Sequence, residues 1–447
     1  MNCHRLIALA KFADHISFED LDCLADCEDL EGYSALTFTG FGQAFEWTPV
    51  FRVRTLSEGS QVALTLKGNQ IITLPLDYPC LFAAKHGEIA LRSMTPADAS
   101  SGALIPYISY VTDDEFYHQG VLTLAFQRPT RLKLDMPLGY SLGYVLGLLF
   151  ENSTCIESDR SSLPSKALRV SLPRLLQANF IKCLVDLYED HRPDFTIQGN
   201  HIVIHCACLA SFCEDVQGNS RAAYFPKFLL SSPRNFREGY FDALMEERVS
   251  IPNDFKLNAE FSSLASVKVY GIRWLAATLN IASTIRQRGK LFSLRFRSAD
   301  IAQMCGMVTD LHRQERLHRD LGDDVPSQPS DIVPVPKSLL RLIKQLFPRE
   351  DNATRTAIKV AHKSGYVTRI TAKLWLERWR EQIFNEEDGL AWRKLVADTR
   401  ICWSPIKEIN ELDSHESVLP VLGNDASCWA TVDGLLLAPA RSIELCQ

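Results

Sequence analysis

Metal-ligating side chains crowd into one stretch of this 447-residue chain: His201, His205, Cys206, Cys208 and Cys213, within DFTIQGNHIVIHCACLASFC. Imidazole and thiolate are zinc ligands, so these residue types invite a zinc reading. Their spacing argues against it. Read as a hairpin turning at Gly199-Asn200, the segment puts His201 and His205 on one strand face with Val203 and sends Cys206 and Cys208 to the other. A structural zinc wants four convergent ligands, usually from paired C-x-x-C knuckles. The expectation is no metal, with satisfied strand residues and buried thiols instead. A second cluster is cationic. STIRQRGKLFSLRFRS reads as another hairpin, with Arg286, Arg288 and Lys290 at its turn. Leu291, Ser293, Arg295 and Arg297 line one side and Phe292, Leu294 and Phe296 the other. By itself this pattern describes a solvated strand face. LHRQERLHR at 311–319 is a weaker basic cluster.

The elements that must position these groups centre on two helices. Residues 138–153, LGYSLGYVLGLLFENS, read as one buried helix with Gly139, Gly143 and Gly147 every four residues along one face. Each glycine inside a helix costs about 1 kcal/mol against alanine, so the stripe points to a second backbone in close contact. FREGYFDALMEE at 236–247 supplies it, with Gly239 and Ala243 at the same spacing. Two such helices suggest a pseudo-twofold pair.

LGYVLGLLFENS resembles the first signature helix of the LAGLIDADG homing endonucleases, commonly LGYLLGLLLGDGS, and FREGYFDALMEERV resembles the second, commonly FRRGLLDGLMDTDG. The resemblance implies two helices at the centre of a saddle-shaped sheet on DNA, each ending in a carboxylate that holds a catalytic divalent metal. Such metals want anionic oxygens. The matching positions here are Asn152 and Arg248, an amide and a guanidinium. Glu151, Glu246 and Glu247 are neighbours, but one residue along a helix turns a side chain by about 100°. EFSSLASVKVYGIRWLAATLNIAS resembles the family's strand-and-helix segment before its next hairpin. On that resemblance Arg286, Arg288, Lys290, Arg295 and Arg297 face DNA phosphates and bases. This and the solvated face stay open together.

The flanks resemble a Hint (intein) domain. From Leu36 to about residue 111 the pattern is strand-like, with Gly68-Asn69 as a hairpin signal. WTPVFRVRTL, KGNQIITLPLDYPCLF and MTPADASSGALIPY resemble the opening half, and ICWSPIKEINELDSHESVLPVLGNDASCWATVDGLLLAPA the closing half. Splicing chemistry needs a nucleophile, a T-x-x-H turn and a terminal His-Asn. Here the turn reads Pro75-Leu76-Asp77-Tyr78 and the end reads Ala438-Pro439 before Ala440. Both active centres are expected to be erased on retained scaffolds. The fold expectation is α+β, a β-rich Hint-like domain split around a two-repeat LAGLIDADG (αββαββα-type) domain. Its parts are a lead at 1–35 of mixed helical and acidic character, Hint-like halves at 36–111 and 399–447, the LAGLIDADG-like domain at 112–321, a Pro/Ser-rich linker at 322–336 and a helical appendix at 337–398. Within the appendix, HKSGYVTRITAKLWL also reads as a helix-turn-helix with Arg369 and Lys373 exposed.

Bulk properties narrow the partners. Net charge is −6 with a pI near 6.0, against the basic balance usual for dedicated nucleic-acid binders. Thirteen scattered cysteines and no secretory pattern imply a reducing, intracellular setting. No apolar run reaches the about eighteen residues a membrane span needs. No P-loop, Rossmann glycine pattern or nucleophile elbow is present. The family implies a bacterial host cytoplasm or a phage-made compartment within it. The leading expectation is a non-catalytic adaptor that recognises a protein or peptide through the old Hint cleft at Asp77 and Tyr78, with no cofactor. The alternative is a DNA-binding protein, or a metal-dependent DNA endonuclease using Glu151 or Glu246.

Overall fold

The computed structural model describes residues 7–12, 15–20, 34–38, 40–43, 45–67, 70–76, 79–83, 89–93, 102–109, 111, 121–125, 133–158, 165–188, 194–217, 225, 229–230, 232–247, 260–296, 331–347, 352–422, 428–430 and 436–437. Two compact units share the chain. One comprises Met1–Val111, Ile285–Gly289 and Pro326–Gln447, the other Thr112–Thr284 and Lys290–Val325. Among the described residues no helix is long and apolar enough to cross a membrane.

The first unit opens with β1 (Ile7–Phe12) and β2 (His15–Asp20), an antiparallel hairpin with Leu9 opposite Phe18. The lead read as partly helical is therefore extended here. Ile16 and Phe18 alternate with Ser17 and Glu19, a two-residue period that suits a ladder despite the acidic residues. Next come β3 (Ser34–Phe38), β4 (Phe45–Leu66), β5 (Ile71–Pro75), β6 (Pro79–Ala83), β7 (Ile89–Ser93) and β8 (Leu104–Ile108). Alternating apolar residues put Val62, Leu64, Ile72 and Leu74 into the core.

The second unit begins with the hairpin of β9 (Val121–Ala125) and β10 (Lys133–Pro137). Then follow α1 (Tyr140–Asn152), β11 (Ser153–Ser158), β12 (Ser165–Ser171), α2 (Arg174–Asp186), β13 (Phe195–Gln198), β14 (His201–Ile204) and α3 (Ala207–Gln217). Along the chain the order then partly repeats as α4 (Arg234–Glu247), β15 (Glu260–Ser263), α5 (Ser266–Thr278), β16 (Ser283–Arg288), whose residues from Ile285 on are grouped with the first unit, and β17 (Leu291–Phe296). The strand orders correspond as well: β11-β12-β14-β13 in one sheet and β15-β17-β16 in the other. The expected turn at Gly199-Asn200 joins β13 to β14, with Gly199 at φ +64, where a side chain would be strained. The strand does not run on to Cys208, however. It ends at Ile204, and Cys206 immediately precedes α3, which contains Cys208 and Cys213. After Ile204 the buried positions Leu209 and Cys213 fall four apart, a helical period that overrides the strand reading.

The chain closes the first unit with β18 (Ile332–Pro334), α6 (Lys337–Leu346), α7 (Asn352–Ser364), β19 (Tyr366–Thr368), α8 (Arg369–Arg378), α9 (Arg380–Phe384), α10 (Gly389–Ala397), β20 (Ile401–Leu422), β21 (Cys428–Ala430) and β22 (Leu436–Leu437). β20 pairs with β8 and, over a long bulged ladder from Ile406↔Leu66 to Leu422↔Val50, with β4. Strands before and after the second unit thus share one nine-stranded sheet. Two expectations change here. The stretch read as linker ends in β18, where Ile332 and Val333 are buried and pair with β19, because three β-branched residues in I-V-P-V favour an extended, covered strand. Arg369, read as exposed, is 2% accessible. Its guanidinium donates to Asp331 Oδ1 at 3.0 Å and to the carbonyls of Leu395, Val396, Asp398 and Ile401 at 2.9, 2.8, 3.0 and 2.6 Å. A planar five-donor fork satisfies carbonyls left over at the end of α10 and the first carbonyl of β20, which a solvent-facing role would leave bare.

Candidate functional site

The helices α1 and α4 meet backbone to backbone. A Cβ added at Gly143 would lie 2.0 Å from the Phe236 carbonyl oxygen, and one at Gly239 would lie 2.1 Å from that of Tyr140. The contact is reciprocal. The same added Cβ at Gly143 would lie 3.0 Å from Tyr240 N, and that at Gly239 3.0 Å from Tyr144 N, so residues 96 apart (239 − 143) exchange roles about a pseudo-twofold. Gly147 sits against Ala243 one turn on, where an added Cβ would lie 2.7 Å from the Ala243 Cβ. Gly139 does not join the stripe. It precedes α1 as its N-cap, and an added Cβ would meet only Pro137 O at 4.0 Å. From Leu142 to Phe150 every residue of α1 is buried, as expected for a helix apolar on all sides.

The carboxylates around this pair are engaged. The Tyr144 hydroxyl donates to Glu246, and the Tyr140 hydroxyl donates to Asp242. Burial, and then the Glu246 charge, push the Tyr144 phenol well above its ordinary ionisation range, so it remains a donor. Glu151 forms a buried ion pair with Lys268 from the first turn of α5. Asn152 folds back, its Nδ2 donating to Leu148 O at 3.1 Å. Arg248 lies outside the described residues. Two divalent cations would need converging anionic oxygens at the helix ends. Here an amide stands at one matching position, and the adjacent carboxylate already has an ammonium on it. Among the described residues no three His, Cys, Asp or Glu side chains are grouped to hold a metal. These residues do not fit the metal pair, and no hydrolytic step follows from them.

The sheets carry a different chemistry. Register puts Thr154, Arg169, Val203 and Thr196 in one row across β11-β12-β14-β13, with Ser171, His201 and Gln198 in the next row of that face. The opposite face buries Leu168, Val170, Ile202 and Ile204. On the outer face Thr154, Arg169, Ser171, Gln198 and His201 are exposed, while Val203 is buried between Arg169 and Thr196. The Ser171 hydroxyl and His201 Nδ1 are 2.9 Å apart. Among the described strand residues of this face there is no carboxylate; Glu157 and Lys166 belong to the other side. In the second sheet, Ser262 and Ser293 hydroxyls lie 2.9 Å apart, and the row beyond holds Glu260 opposite Arg295.

The cationic residues named from sequence divide. Arg288 and Lys290 are exposed, and Arg286 is half-buried. Arg295 is half-buried with its Nε 2.8 Å from Glu260 Oε2, so its charge is already matched. Phe292, Leu294 and Phe296 do not share one environment: Leu294 and Phe296 are buried, Phe292 half-buried, and Ser293 on the other side is 6% accessible. Arg297 lies outside the described residues, as do Asp77, Tyr78, Ala438 and Pro439. The outer-face residues of the four-stranded sheet are not singled out from sequence, His201 excepted, and then only as a zinc ligand weighed and set aside. Alternation in SKALRVS and HIVI was the available signal, but only cross-strand register collects residues 154, 169, 171, 196, 198 and 201 on one surface.

No family model matches the chain, and no curated protein matches it. Solved structures do. Mesophilic variants of the homing endonuclease I-DmoI match over 41% of this chain and 98% of theirs, at 9% identity and a TM-score of 0.30. The homing endonuclease I-WcaI bound to its DNA recognition sequence matches over 40% of this chain and 87% of its own, at 11% identity and 0.29. Full-length DUF199/WhiA from Thermatoga maritima covers 61% of this chain and 84% of its own, at 14% identity and 0.28.

Proposed function

We propose that this protein binds double-stranded DNA without cutting it, through the outer sheet faces of its second unit. One observation carries the reading: the solvent side of the four-stranded sheet presents Thr154, Arg169, Ser171, Thr196, Gln198 and His201 with no carboxylate among the described strand residues. Hydroxyl, guanidinium and amide side chains are the groups that hold phosphates and read base edges, and a β-ribbon fits the major groove. Arginine suits a guanine edge and glutamine an adenine edge. Exposed Lys290, at the turn before β17, adds a phosphate-seeking cation. With a net charge of −6, attraction has to come from this local surface and not from the whole chain. The non-cutting part of the reading rests on Lys268 paired with Glu151 and on the Tyr144 hydroxyl donating to Glu246. A protein or peptide partner at Asp77 and Tyr78 is the other reading; no described residue favours it.

The test is selection of duplexes from a random library on the full chain, then fluorescence anisotropy across a salt series. Binding should weaken steeply with salt, with a log–log slope of about −0.9 per phosphate neutralised. Lys290→Ala should reduce that slope by about 1, and Arg169→Ala or Gln198→Ala should relax base preference at one position. Absence of duplex binding at about 50 mM salt sinks the proposal. So does binding indifferent to all three substitutions. Strand cleavage on adding magnesium or manganese would overturn the non-cutting part.

A further inference from the structure

We propose that Cys206 and Cys208 form a redox-active dithiol that closes reversibly to a disulfide, with Cys206 as the attacking sulfur and Cys208 as the resolving one. The two Sγ atoms are 3.2 Å apart across the start of α3. Residues two apart at a helix start have Cα atoms on the order of 5–6 Å apart, within the range a disulfide spans. Cys206 is half-buried as a residue, whereas Cys208 is 5% accessible. The asymmetry assigns the order of attack.

The surroundings of the pair support the chemistry. The Cys208 thiol beside Cys206 holds the Cys206 thiol well below its ordinary range, down to about 6 and against the effect of burial. The Leu209 and Cys208 amides at the N-terminus of α3 add to this. Cys208 is pushed up by the same contact, then by burial. A thiolate that is both accessible and stabilised is the nucleophile in thiol–disulfide exchange. Cys183 provides the contrast within the same unit. It is buried, and burial pushes its thiol up to about 11. Cys206 and Cys208 are both free, so both sulfurs are available as thiols.

The oxidant is a small-molecule disulfide of the glutathione class. Cys206 thiolate attacks one of its sulfurs, forming a mixed disulfide and expelling one thiolate. With the Cys206 charge gone, Cys208 ionises more readily and passes its proton to that thiolate. Cys208 sulfur then attacks Cys206 Sγ, the mixed disulfide breaks, and the second thiolate leaves. Two electrons pass from the dithiol to the small disulfide. The new ring encloses only Ala207, and such small, strained rings are readily reduced, so closure reverses under a reducing poise.

The experiment treats the reduced full chain with oxidised glutathione and maps thiols by mass spectrometry. The expected result is loss of two hydrogen masses on the peptide carrying Cys206 and Cys208, restored by excess reduced glutathione. Cys208→Ala should trap glutathione on Cys206, and Cys206→Ala should leave Cys208 unmodified. In the unmutated chain, iodoacetamide alkylation of Cys206 should be half-maximal near pH 6, while Cys183 stays unreacted well above that. The proposal fails if both sulfurs stay reduced while other cysteines oxidise, if Cys206 pairs with Cys213 instead, or if alkylation has its midpoint at an ordinary thiol value. It also fails if the purified chain holds stoichiometric zinc that protects both thiols until a chelator removes it. None of these readouts involves DNA.

Discussion

Gly143→Ala is the sharpest test of the helix pair, because two opposing effects of known sign meet there. In an isolated helix the change removes the glycine penalty and stabilises by about 1 kcal/mol. In this protein the new methyl falls 2.0 Å from Phe236 O, where ordinary contact begins at 3.4 Å, so 3.4 − 2.0 = 1.4 Å must be found. Both atoms belong to helical backbone, and neither can swing aside. Parting α1 from α4 opens a gap along the whole seam, and a gap of about 0.5–1 Å already forfeits a quarter to a half of each dispersion contact. Overpacking costs about 1–3 kcal/mol, and a backbone-to-backbone clash belongs at the upper end. The net expectation is a loss of about 2 kcal/mol, or about 4–8 °C in Tm for a unit of this size. Gly239→Ala should match it, since its methyl would meet Tyr140 O at 2.1 Å. Gly147→Ala differs in kind, because its nearest obstacle is the Ala243 methyl at 2.7 Å. Adding Ala243→Gly should therefore recover part of the loss, with a coupling of about 0.5–3 kcal/mol. Thermal unfolding of the full chain, with hydrogen exchange followed on α1 and α4 peptides, reads these changes. A Gly143→Ala protein stabilised by about 1 kcal/mol, as helix propensity alone requires, would refute the close packing.

Two further outcomes concern the first unit. Burial alone would push the Asp398 carboxyl up, but Arg400, with its Nε 2.9 Å from Oδ1, and the Gly42 N–H at 2.9 Å outweigh burial and hold it below the usual carboxylate range. A depressed folded-state value contributes stability that is full above the ordinary carboxylate value of 3.8 and is lost as pH falls through the folded value. Asp398→Asn should therefore flatten acid unfolding below about pH 4, and an unchanged acid limb would count against the assignment. Arg369→Lys keeps the charge but loses the fork that reaches four carbonyls, so it should destabilise the α6–α10 region by about 2–4 kcal/mol through carbonyls left without donors. Unfolding free energies from denaturant titration within about 0.5 kcal/mol of the parent would show that those carbonyls find other partners.

Local pattern made much of this molecule legible. Small residues four apart in LGYSLGYVLG and in FREGYFDA announced two helices in backbone contact, because only a close neighbour compensates glycine in a helix. Gly199-Asn200 marked its turn, and EFSSLASVKVYGIRWLAAT its strand and helix. Where the pattern misled, a second level of structure had intervened. Cys206 and Cys208 continue an apolar strand by composition, yet the ladder stops at Ile204 and a helix begins. Arg369 looks solvent-bound in a basic helix until the carbonyls at the end of α10 and the start of β20 are brought to it from about 26 to 32 residues away. By itself the sequence determined the two central helices, the glycine seam and the uncharged amide at Asn152, since each depends on residues within one or two turns of each other. Only the tertiary structure decided what faces what: Lys268 on Glu151, Tyr144 on Glu246, and the polar surface gathered from residues 154 to 201 by strand register. Pairing across loops depends on the free energy of the whole sheet, and a shift of one residue would have turned every one of those side chains inward.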